Sequence, residues 1–227
     1  MEAHDATGRV MKTIALFVFF AALVNSTAMG QGQTSPHQLY GKENVFEVLR
    51  DGENAGEHRL HFSGDAARLT VTAKTRATVS FYGVLDLPFE YDSHAVWENG
   101  ELLEIRASYL RGLARGTVFA VREKNGYRVG DAIINAPLFP TNHWHHDVLS
   151  QTKVLNTLNG KMARVEITPG ESQTQVFAGG GLQTALRHRY DGELQLESWY
   201  DKEGRWLKMR FFVLGGQYEF ICQTCAP

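Results

Sequence analysis

"LDLPFEYDSHAVWENGELLEIRASY", residues 85–109, contains the pattern that decides the fold. In its first half Leu85, Leu87, Phe89 and Tyr91 alternate with Asp86, Glu90, Asp92 and His94. In its second half Leu103, Ile105, Ala107 and Tyr109 alternate with Glu104, Arg106 and Ser108. A period of two places one set of side chains on each face of a pleated strand, one towards a core and one towards water. Between the halves stands Asn99-Gly100. That dipeptide accepts the left-handed backbone of a tight hairpin turn. The stretch therefore reads as two antiparallel strands joined by a short turn.

The same reading extends outwards. "EHRLHFS" sets His58, Leu60 and Phe62 against Glu57, Arg59 and His61, and "RLTVTAKT" sets Leu69, Val71 and Ala73 against Thr70, Thr72 and Lys74. Further turn dipeptides occur at Asp51-Gly52, Asn125-Gly126, Asn159-Gly160 and Asp191-Gly192, and a hairpin is expected through 201–204. So many consecutive hairpins imply an all-β chain of roughly ten to twelve strands. The expected architecture is a single large curved antiparallel up-and-down sheet, a half-barrel or a barrel. Aromatic residues such as Phe81, Tyr82, Phe89, Tyr91, Trp97, Trp199, Trp206, Phe211 and Phe212 are expected mostly in its core, with a subset lining an apolar ligand cavity.

The amino-terminal residues 1–30 read as a signal peptide. Lys12 precedes the apolar run "IALFVFFAALV", and Ala28 and Gly30 are the small residues a signal peptidase requires. Residues 1–10 lie upstream of Met11, which reads as the better start. Residues 31–227 are then one β domain with a short leader over 31–39. The implied location is periplasmic or secreted, without stable membrane insertion once the signal is cleaved. The formal charge of the chain is −2. Such a balance argues against nucleic acid or anionic lipid as a dominant partner. The two cysteines, Cys222 and Cys225, are expected to form a local disulfide in an oxidising compartment.

One segment breaks the alternation. "PTNHWHHDVL", residues 140–149, holds three of the nine histidines. Thr141 or Asn142 could cap one short helix near 142–150, lying across an open mouth or concave face with Trp144, Val148 and Leu149 buried. His143, His145 and His146 could meet zinc or copper, with a further ligand from His58, His61, His94 or His188. The plainer alternative is a polar surface loop whose Trp144 packs while the histidines stay hydrated. No zinc-hydrolase spacing, serine elbow or phosphate loop occurs, so no catalytic residue is assigned and an enzyme is disfavoured.

"VLRDGENAGEHRLHF", "VWENGELLEI", "FPTNHWHHDVLSQTKVLNTLNGK" and "ESWYDKEGRWLKMRF" together resemble an uncharacterised exported bacterial family, a domain of unknown function. In strand pattern that family is similar to the LolA-like periplasmic carriers. The resemblance implies a curved sheet and export, and by analogy acyl-chain binding. The functional expectation is a non-enzymatic binding or carrier protein for a lipid or another hydrophobic small molecule, with no cofactor. Trp144, His143 and His145 would stand at the rim of its ligand site. The alternative is a His-cluster metal-binding protein or a metal-assisted enzyme.

Overall fold

A computed structural model describes residues 36–225. The expected signal peptide and residues 31–35 of the expected leader lie outside the described residues. A short helix, α1, forms over Pro36–Tyr40, and its Tyr40 ring stacks on Phe62 with centroids 5.2 Å apart.

Fourteen antiparallel strands follow in one sheet. The first eight are β1 (Glu43–Arg50), β2 (Glu53–Gly64), β3 (Arg68–Phe81), β4 (Leu85–Glu98), β5 (Glu101–Arg111), β6 (Ala114–Glu123), β7 (Gly126–Val129) and β8 (Ala132–Ile134). After a connection over 135–152 come β9 (Lys153–Leu155), β10 (Met162–Ala178), β11 (Gly181–Gly192), β12 (Leu196–Tyr200), β13 (Trp206–Val213) and β14 (Gly216–Cys222). The all-β, up-and-down expectation is met, and the short hairpins account for it. Asp51 and Asn99, at two of the predicted turns, adopt φ 51°, with a left-handed glycine after each.

The order across the sheet is not the order along the chain. It runs β8 to β1, then β14 back to β9. The two terminal strands pair in the middle, Phe46 opposite Cys222 and Arg50 opposite Tyr218. The edges are instead β8 and β9, and the 135–152 connection joins them.

Inward-facing side chains form one continuous core. His58, Leu60 and Phe62 of β2, and Leu69, Val71 and Ala73 of β3, are buried as their alternation predicts. On β5 the inward position is Leu102 rather than Leu103. A bulge between β4 and β5 pairs Val96 with Glu104 and Trp97 with Leu102, which leaves Leu103 out of register. At the far end of β3 and β4 the pattern fails differently: Leu85 is exposed although its alternation placed it in the core, and Phe81, Tyr82 and Phe212, expected among the core aromatics, are exposed as well.

Candidate functional site

The connection between the two edge strands enters the interior of the sheet. Phe139 and Thr141 hydrogen-bond to Leu155 of β9 and start the excursion there. A single 3-10 turn, His146–Ser150, ends it. The expected short helix is therefore present but confined to five residues, and its cap is His145, whose Nδ1 accepts from the Asp147 N–H, rather than Thr141 or Asn142.

Trp144 is 3% exposed and His143 is 6% exposed. Neither faces solvent; of the polar-loop alternative, the packing of Trp144 and the exposure of His146 hold, whereas His143 is buried. The Trp144 ring lies edge-on to Phe62 of β2 and Trp97 of β4, each 5.5 Å away. His143 stacks obliquely against Trp206 of β13 and meets Tyr190 of β11 edge-on. Side chains from both halves of the sheet thus close on one plug.

A plug in an apolar interior must satisfy its own backbone. Tyrosine hydroxyls do so. Tyr40 donates to the Trp144 carbonyl at 2.9 Å, and Tyr200 donates to the His143 carbonyl at 2.9 Å. The Tyr40 oxygen also accepts the Trp206 N–H at 3.0 Å. Deeper along the core, Tyr91 of β4 donates to Thr157 in the β9–β10 turn, another tie across the interior. Burial raises the pKa of all these phenols, that of Tyr200 to about 12, so they remain donors at any physiological pH. Tyr40, Tyr190 and Tyr200 carried no motif in the sequence. The only available signal was that a phenol on an inward strand position needs a polar partner inside.

The histidines do not converge. His143 is buried, and burial lowers its pKa to about 4. His145 is half-buried against Trp97 and Phe139, and its pKa is lowered first by burial. His146 is exposed, with its ring edge-on to Tyr200. Of the further ligands considered, His58 hydrogen-bonds Thr75 at 2.8 Å. Burial, and secondarily His143, lowers the His58 pKa to about 3. Among the described residues, no group of three or more His, Cys, Asp or Glu side chains is placed to hold a metal ion. Cys222 and Cys225 are disulfide-bonded and buried, with the Asn44 Oδ1 beside both sulfurs.

Two buried indole donors, Nε1 of Trp97 and of Trp144, have no acceptor among the described residues. Two open clefts lie on the sheet surface. One, of about 460 Å³, is lined by Arg189, Asp191, Glu197 and Arg210 together with Tyr190, Leu196, Phe211 and Phe212, and another, of about 570 Å³, includes Glu47, Glu57 and Arg76.

These features define a class: an all-β, barrel-like sheet, open between two mid-chain strands and stoppered by the segment that joins them. The chain belongs to the family described as domain of unknown function DUF6134, which matches residues 46–223. Its fold is similar to the crystal structure of a beta-barrel-like protein of domain of unknown function DUF1849 from Brucella abortus. That similarity has a TM-score of 0.56 at 9% identity and covers 79% of this chain and 94% of that one. No curated protein matches the sequence.

Proposed function

We propose that this chain is an exported, non-enzymatic binding or carrier protein for a lipid or another hydrophobic molecule, held inside the curled sheet. The observation that carries the reading is the plug. Trp144 and its neighbours fill the apolar interior, yet they belong to a connection and not to a strand. Withdrawing residues 142–150 would uncover Phe62, Trp97 and Trp206 without breaking a ladder between named strands. Besides apolar packing, hydrogen bonds from tyrosine hydroxyls hold that segment in the core. The two unpartnered indole donors suit the ester or carboxyl oxygen of an amphiphile. Trp144, His143 and His145 then act as a displaceable stopper. The signal-peptide pattern and the disulfide support export. The zinc or copper alternative has less support, because each loop imidazole is engaged with a different neighbour.

The test is direct. The protein is purified from the exported fraction and extracted with organic solvent, and the extract is analysed by mass spectrometry. In parallel, tryptophan emission is followed during titration with a brominated fatty acid. A stoichiometric lipid and quenching that is reduced in Trp97→Phe are expected. An extract equal to a blank, with no quenching, would end the carrier reading.

A further inference from the structure

Three hairpin tips meet at the end of the sheet where β1 turns into β2. The β3–β4 tip touches the β13–β14 tip through a hydrogen bond from the Tyr82 N–H to the Leu214 carbonyl, 2.9 Å. The β5–β6 tip is joined to β4 by a hydrogen bond from Gly112 N–H to the Pro88 carbonyl, also 2.9 Å. The β3–β4 ribbon is pinned inwards by Ser80 N–H donating to the Tyr218 hydroxyl at 3.0 Å.

These tips are apolar where hairpin tips are ordinarily polar. Tyr82 is 66% exposed, Val84 88%, Leu113 98% and Phe212 72%. Their backbone adds a second, independent oddity. Four described residues other than glycine have a left-handed φ, and two of them, Asp51 and Asn99, are of types that tolerate it. The other two are Tyr82 and Leu214, at φ 51° and 52°, in the two tips that touch. Asparagine would suit either turn better, so the fold bears a conformational cost while keeping apolar side chains where they contribute little to the core.

We propose that this end of the protein docks peripherally on an anionic lipid bilayer, with the three tips reaching into the headgroup layer. Charge suits a bilayer at the β5–β6 tip. Arg111 and Arg115 flank Leu113 in "RGLAR", are exposed, and make no ion pair among the described residues, while acids exposed at this end, Glu53 and Asp86 among them, belong to the neighbouring hairpins. Arginine beside exposed aliphatic and aromatic residues is the composition of a membrane-interface anchor. A second copy of the chain fits less well. A stable protein interface takes about 20–30 residues a side, and here a handful of side chains project from three separate turns. The proposal stands apart from the carrier reading, since vesicle binding requires no ligand in the interior.

The experiment uses the processed, exported chain and vesicles of phosphatidylcholine with about 30% phosphatidylglycerol. Co-sedimentation is measured for the natural chain and for the triple variant Val84→Asp, Leu113→Asp, Phe212→Asp. The expected result is partition weakened about tenfold or more in the variant, and weakened by salt in the natural chain. In parallel, Leu113→Cys and Lys202→Cys, the latter at the opposite end of the sheet, are labelled with an environment-sensitive dye. The dye at 113 should shift to the blue with vesicles and the dye at 202 should not. Equal partition of variant and natural chain, or no shift at 113, would overturn the proposal. So would a dimer that the triple variant dissociates without any vesicle binding.

Discussion

His58 and His143 face the same interior, and burial keeps both neutral. In the unfolded chain a histidine protonates near pH 6.5, whereas in the fold these two protonate at about 3 and about 4. Below pH 6.5 the unfolded chain therefore binds more protons than the native one. The stability they allow is complete above that pH and falls as pH drops towards their native values. Each histidine should remove about 1.4 kcal/mol per pH unit within that window. Urea unfolding at about pH 7.5 and about pH 5 should show a steep loss, reduced in His58→Gln. A flat profile would mean that water reaches these rings. At this scale the sequence was legible in part. Alternation placed His58 inside, but nothing local distinguished His143 from a hydrated loop residue, because its surroundings come from β11, β12 and β13.

Among the elements, the β1–β2–β3 region shows how one residue sets a ladder. Gly56 sits at φ 149°, and a Cβ built there would lie 2.2 Å from the Arg76 carbonyl oxygen of β3. Gly56→Ala should cost about 3 kcal/mol or more, because the clash is with backbone that cannot swing away. Gly181, at the start of β11, has nothing within 4 Å of the corresponding position. Gly181→Ala should stay within about 0.5 kcal/mol of the natural chain. Chemical denaturation of the pair checks both, and equal effects would show that the close approach of β2 to β3 is not real. The strands themselves could be read from period two. The bulge that exchanges Leu103 for Leu102 could not, since a bulge depends on the strand opposite. Nor could the exposure of the β3–β4 tip, because alternation specifies a face and not whether a core extends beneath it.

For the molecule as a whole, the pairing of β1 with β14 makes a strong demand. Gln223 N–H bonds the Val45 carbonyl at 2.7 Å, so the beginning of β1 and the end of β14 lie side by side. A circular permutant that joins these ends by a short linker and opens the chain between Gln151 and Thr152 would run β9 to β14 and then β1 to β8. Its sheet would be sequential from edge to edge. Far-ultraviolet circular dichroism should retain the natural β signature, with one cooperative thermal transition at a lower midpoint, because the plug is then tethered at one end only. Loss of the β signature would contradict the strand order.

Local chemistry alone determined the class of fold: alternating side chains make half-buried strands, and left-handed turn residues join them into hairpins, both within a few residues of sequence. The disulfide between Cys222 and Cys225 was legible for the same reason of proximity. Tertiary structure decided where the sheet opens, what fills it, and which histidines lose their water. Those outcomes depend on side chains brought together from distant parts of the chain, as Tyr40 and Trp144 are, and such encounters leave no periodic trace along it.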